Sequence, residues 1–202
     1  ENLAGGAEKD FINFTWPTIL AFKNNFFYTL NNYGVLGEGS PPLFHILNAY
    51  LNPFIYSQIA FQGSITFLSF INAILFSQII KEKFKINNLD ALLYSSIFLI
   101  LPFFRSSAYW GLSENIGWLF LILSIKYYLK YERQHVEKKI LTILLMCLFS
   151  SLALYTRPYL IFFPIFLILQ SITKKDFSFF KYTSFFYCLF SIPGFILLFM
   201  WG

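Results

Sequence analysis

The chain has 202 residues, 57% of them hydrophobic, 22% aromatic and only 12% charged. A soluble domain carries about 25% charged residues. A freely soluble globule is therefore excluded, and long apolar runs point to an all-α, polytopic transmembrane bundle. The net charge is +5, but in such a protein the placement of the basic residues matters more than their sum, and no nucleic-acid partner is implied.

The chain opens with a polar stretch from Ala4 to Pro42 that gathers Glu8, Asp10 and Glu38, with Glu1 just before it. This predicts a large first external loop. Within it Trp16-Pro17 suits a helix start, and Thr15 to Thr29 reads as an interfacial helix rich in aromatics. Pro41-Pro42 opens a second short helix. Its apolar face is Leu43, Phe44, Leu47, Tyr50, Leu51 and Phe54, and its opposite polar stripe is His45, Asn48 and Asn52. Asn52-Pro53 ends it. Residues 1–54 thus form an external region and 55–202 a transmembrane domain.

Six spans are predicted, at about Ile55–Ile80, Leu89–Phe104, Ile116–Leu129, Ile140–Tyr155, Tyr159–Ile172 and Tyr182–Trp201. Several fall short of the ~20 residues an upright helix needs, so tilt is expected. The second and third are joined by the polar link Arg105–Asn115, and the fourth and fifth by Thr156-Arg157-Pro158. Of the Lys and Arg residues, four lie on the side of the opening loop (Lys9, Lys23, Arg105, Arg157) and eleven on the other. The positive-inside rule makes the eleven-residue side cytoplasmic. Cys147 and Cys188 sit in apolar runs and match no metal motif. Glu1 is not an initiator Met and the chain stops at the end of an apolar helix, which predicts a piece of a longer protein.

The external side then collects Glu8, Asp10, Glu38, His45, Arg105, Glu114 and Arg157. Acids with arginines suit transfer of a sugar carried on a phosphate. A carboxylate takes the proton of an acceptor hydroxyl, and arginine pairs with phosphate oxygens. His45 with a carboxylate also suits a divalent cation. Each residue has a plainer role as well: Asp10 as a helix cap, Glu38 as a turn acid, His45 as a hydrogen-bonded interface residue, Glu114 on a helix dipole, and the arginines as headgroup anchors.

These pieces resemble, in their order, the membrane glycosyltransferases of the GT-C fold, the bacterial families akin to protein mannosyltransferases and lipid A aminoarabinose transferases. Those families carry an acid in the first external loop, here Asp10. Ser40-Pro41-Pro42-Leu43-Phe44-His45 matches their next helix start, Leu112-Ser113-Glu114-Asn115-Ile116 resembles their second external loop, and Ala153-Leu154-Tyr155-Thr156-Arg157-Pro158 resembles a later Thr-Arg run. The families' Asp-Glu pair is absent, and Glu8-Lys9-Asp10 leaves open which acid is the base. The resemblance implies a GT-C-like bundle in a bacterial inner (plasma) membrane with its active site on the periplasmic face. It implies a polyprenyl-phosphate-sugar donor and a lipid, glycan or protein acceptor. In this reading Asp10 or Glu8 is catalytic, and Arg105, Arg157, Glu114, His45 and Glu38 bind substrate or phosphate. A transporter of lipid-linked sugars is a rival, but it needs charged residues within spans, and the sequence offers little beyond Asp90 near a helix start. A non-catalytic assembly subunit is the other rival.

Overall fold

The structure is a computed structural model and describes residues 6–35, 41–133 and 139–201. Among these residues every regular element is a helix. Helix α1 covers 6–24 in three parts: an α segment Gly6–Asp10, a π segment Phe11–Thr15 and an α segment Trp16–Asn24. Then come α2 (Phe26–Asn31), α3 (Leu43–Leu51), α4 (Gln58–Phe84), α5 (Asn88–Ile100), α6 (Pro102–Trp110), α7 (Glu114–Arg133), α8 (Lys139–Thr156), α9 (Pro158–Thr173) and α10 (Phe177–Trp201).

The opening stretch is more ordered than a loop. Pro17 does not start the helix, because the chain is already helical from Gly6. The Trp16 N–H bonds to the Phe11 carbonyl, the wide i→i+5 turn of a π-bulge, just ahead of a proline that has no N–H to give. The helix ends at Asn25, which is extended and whose side chain accepts from the Tyr28 N–H at 3.1 Å, capping α2.

Helix α3 begins where Pro41-Pro42 predicted, but its buried face mixes the two stripes, with Phe44 beside His45 and Asn48. His45 and Asn48 are buried, while Tyr50, Leu51 and Phe54 are exposed. A helix against lipid gains nothing by hiding its apolar side, whereas its polar groups need partners inside. Asn48 donates to the Phe44 carbonyl, and Asn52 donates to Asn48 Oδ1 and to Ser64 Oγ at 2.8 Å.

Among the described residues three helices are long and apolar enough to cross a membrane: Gln58–Phe84, Lys139–Thr156 and Phe177–Leu197. A fourth arises if α5 and α6 count as one broken span, bent by 61°. This is a helical membrane protein. The second predicted span, Leu89–Phe104, is interrupted where Leu101 turns extended (ψ 129°) ahead of Pro102. Proline disfavours helical geometry in the residue before it and cannot continue the ladder. Arg105 to Trp110, predicted as part of a polar link, are helical within α6.

Two cores result. One lies under the first helices and joins Phe11, Trp16, Ile19, Phe22, Tyr33 and Phe44 to Phe61 and Ile65 of α4 and Ile116 of α7. Phe61 is its pivot, stacked on Phe11 at 6.0 Å and edge-on to Trp16 at 5.4 Å. The other fills the bundle between α7, α8, α9 and α10 and takes in Ala73 and Ile79 of α4, Phe98 of α5 and Phe104 of α6. There Ser124 donates to the Met146 carbonyl across α7 and α8 at 2.7 Å, and small residues let the backbones approach. In α10 the Tyr155 hydroxyl enters the helical ladder. It accepts from the Gly194 N–H at 2.9 Å and donates to the Phe190 carbonyl at 2.7 Å, beside Pro193, which lacks an N–H of its own.

The basic loops assigned to one side meet there. Glu132 binds Lys174 at 2.8 Å and Lys83 at 3.6 Å, and Arg133 binds Glu82 at 2.8 Å. Tyr131 donates to Asp176 at 2.8 Å. Burial raises the Glu132 carboxyl, but hydrogen bonds from Lys174 and Tyr128, with the charges of Lys174 and Lys83, outweigh burial and hold it below its ordinary value.

This gathering predicts sidedness. In a Cys188→Ser background, single cysteines at Tyr109 and Lys83 should react differently with an impermeant thiol reagent in intact cells, Tyr109→Cys labelling and Lys83→Cys staying protected. Equal labelling of both would contradict the topology.

Candidate functional site

The polar end of the bundle is built around the turn from α6 to α7. Gly111 sits at φ +69°, its N–H bonding to the Ala108 carbonyl at 3.2 Å and the next N–H, of Leu112, to the Ser107 carbonyl at 2.9 Å. This paired closure ends a helix on a left-handed residue, normally glycine. A Cβ here would lie 2.9 Å from Phe61 Cε1 and 3.5 Å from Phe11 Cε2, so the turn is pressed against the foot of α1.

The tight turn brings Ser107, near the end of α6, back over Glu114 at the start of α7. Ser107 Oγ donates to Glu114 Oε2 at 2.6 Å. The other carboxylate oxygen is ion-paired with Arg157, from the break between α8 and α9. Glu114 is only 7% exposed. A buried carboxylate is tolerated when paired and hydrogen-bonded, and both conditions hold. Gly117 allows the approach, since a Cβ there would meet Thr156 Oγ1 at 3.1 Å and Leu160 Cδ1 at 3.2 Å. Beneath the pair, Ser69 donates to Asn115 Oδ1 at 3.1 Å and Asn72 Nδ2 to the Asn115 carbonyl at 2.9 Å. Among the described residues Arg157 Nε, Asn115 Nδ2 and Asn72 Oδ1 find no protein partner. They remain to bind water or a ligand.

The residues nominated from sequence fall into separate groups. Glu114 and Arg157 form one contact. Arg105 lies on α6, exposed, two residues before Ser107. Glu8 and Asp10 lie on the first segment of α1, which packs against α6. Asp10 is exposed, has helical φ and ψ of −62° and −42°, and makes no capping hydrogen bond. It is therefore not the cap that composition allowed, and the loop predicted around it is helix.

His45 takes the plainer of the two roles expected for it, that of a hydrogen-bonded residue between elements. It is fully buried, 3.0 Å through Nδ1 from the Tyr33 hydroxyl and edge-on to Phe44, within the core under the first helices. Glu38 lies outside the described residues. Among the described residues no three His, Cys, Asp or Glu side chains converge as a ligand set.

Sequence reasoning passed over Ser107, Asn115, Ser69 and Asn72. Their one signal was a lone amide, Asn72, inside an apolar run, and such residues pair with a facing helix. No protein-family model matches the chain, and searches of curated proteins and of solved structures find no similar chain. The class is set by the fold itself: a helical membrane protein with a buried acid–arginine pair at one end of the bundle.

Removing Arg157 leaves the Glu114 carboxylate buried without its counter-charge. Arg157→Ala should lower stability by about 3 kcal/mol, read as thermal unfolding in detergent. Adding Glu114→Gln should restore part of the loss, because no orphan charge remains. Strictly additive penalties would show that the pair is not coupled. Gly111→Ala should cost about 1–2 kcal/mol from the left-handed backbone alone, and an unchanged melting temperature would contradict the tight turn.

Proposed function

We propose that the protein is a membrane glycosyltransferase of GT-C-like architecture that moves a sugar from a polyprenyl-phosphate donor to an acceptor hydroxyl on the outer face of a membrane. One observation carries this reading. Helix α6 holds Arg105 and Ser107, packs against the segment bearing Glu8 and Asp10, and through Ser107 is tied to Glu114 and Arg157. Acids and arginines far apart in sequence thus belong to one assembly at the sparsely basic end of the bundle. Six passages follow if α5 with α6 makes one, and α7 and α9 cross with tilt. A bacterial inner membrane with a periplasmic site is the setting this topology suits.

The chemistry is direct. The acceptor oxygen attacks the anomeric carbon, the carbon–oxygen bond to the donor phosphate breaks, and the phosphate leaves with the bonding electrons. Asp10, exposed and without a capping bond, takes the acceptor proton, with the half-buried Glu8 as the alternative base. Arginine offsets the charge that develops on the leaving phosphate. Glu114 positions Arg157 and is not the base, because both of its oxygens are engaged. A groove of about 310 Å³, lined by Pro42, Leu43, Ile46, Tyr155, Pro193 and Leu197 among others, offers an apolar surface two residues from Arg157.

Sugar transfer by the full-length chain in membranes tests the base. Asp10→Asn should lower transfer by roughly a hundredfold to ten-thousandfold with stability held within ~0.5 kcal/mol, as for surface changes generally. If Glu8→Gln is inactive and Asp10→Asn is not, Glu8 is the base. Normal transfer in both variants would sink the mechanism.

A further inference from the structure

The lysine-rich end of the bundle is unevenly neutralised. Glu132 meets Lys174 and Lys83, and Glu82 meets Arg133. Lys126 and Lys130 of α7 meet no carboxylate among the described residues. Both are exposed and stand one turn apart, on one face of the helix. Lys126 Nζ donates to Gln78 Oε1 of α4 at 3.5 Å, and Lys130 Nζ lies 5.9 Å from the centre of the Tyr127 ring. An ammonium carries three N–H donors, so neither contact saturates it, and neither cancels its charge.

The place is a valley in the bundle surface. Helix α7 packs between α4 and α8. Lys126 meets Gln78 at one level, and Arg133 meets Glu82 at the next, so α4 and α7 descend in parallel to the lysine-rich face. Tyr127 stacks on Phe149 of α8 at 5.6 Å, which closes the other wall. Leu75 of α4, Leu123 of α7 and Phe149 are half-buried and line the valley on the side of the membrane interior.

Depth gives the lysines their meaning. Arg133, held by Glu82, marks the solvent end of α7, and Lys126 lies seven residues earlier, about 10 Å along the axis. A lysine facing lipid at that level extends its ammonium outward to the headgroups. The exposed Gln78 amide lies at the same level and keeps its own N–H donors. Basic pockets between spanning helices on the cytoplasmic side suit anionic headgroups, and here the apolar walls continue where the acyl chains of such a lipid would run.

We propose that the valley floored by α7 binds an anionic glycerophospholipid from the leaflet at the lysine-rich face. Lys126, Lys130 and the Gln78 amide hold its phosphate, and its acyl chains lie against Leu75, Leu123 and Phe149. The site is independent of the transferase reading, whose residues lie at the opposite end of the bundle.

The test uses the full chain in phosphatidylcholine nanodiscs with a trace of phosphatidylglycerol carrying a diazirine early in one acyl chain. Cross-linked peptides should fall within 75–78, 119–130 and 145–149. Replacing a tenth of the phosphatidylcholine with unlabelled phosphatidylglycerol should suppress labelling, and the same amount of phosphatidylethanolamine should not. Lys126→Gln and Lys130→Gln should each weaken binding roughly fivefold, and the double variant roughly twentyfold. Lys126→Arg should retain it. Lys181→Gln, which removes an exposed charge from α10 at the same end, should leave it unchanged. Equal suppression by phosphatidylethanolamine on the wild-type chain would overturn the proposal without any variant. So would displacement by glycerol 3-phosphate at the same concentration, which would mark a free-anion site. A loss with Lys181→Gln equal to that with Lys126→Gln would also overturn it, because overall surface charge would then be the cause.

Discussion

The Glu114 carboxylate is the constraint on which this end of the molecule depends. A charge so buried persists only if its surroundings are arranged around it. Ser107 reaches it because α6 closes on the left-handed Gly111. Arg157 reaches it because α8 ends at Thr156 and the chain turns extended before Pro158. Gly117 permits the contact because it has no side chain to hold the two segments apart. Three separate local choices, two of them glycines, thus serve one ion pair, and together they set the angle at which α6 leaves the bundle.

That angle has consequences on both sides of the turn. Towards the chain start, Phe11 packs beside Gly111 and against Phe61, which holds the segment bearing Glu8 and Asp10 at the foot of α6. Towards lipid, the same helix opens the elbow that Arg105 lines. The polar seam of Ser69, Asn72 and Asn115 extends the constraint into the bundle, where an amide gains by pairing with a facing backbone carbonyl. At the opposite end a second set of ion pairs, centred on Glu132 and Arg133, ties α4, α7 and α9 together at their solvent ends. The bundle is therefore pinned electrostatically at both ends and packed apolar between them.

The apolar runs by themselves determined the class. Twelve per cent charge and long hydrophobic segments exclude a soluble globule, and the skew of lysine and arginine sorted the loops onto two faces that the ion pairs of Glu132 and Arg133 then join on one side. Pro41-Pro42 marked the start of α3, because proline is suited to a first helical turn. Glu114 and Arg157 were recognisable as unusual because charge is rare among such segments.

Only the tertiary structure decided what those residues touch. Sequence spacing put His45 and Asn48 on a polar stripe and could not say that the stripe faces inward, since an apolar stripe has no reason to turn towards the core where the solvent is itself apolar. Proline content located Pro102 but not the 61° bend, whose size depends on Ser107 and Gly111 packing back on α7 and α4. The capping role allowed for Asp10 failed because the π turn after it extends the helix through Trp16-Pro17. The partners of Glu114 lie 7 residues before it and 43 after it, and no local pattern connects residues that meet only when three helix ends converge.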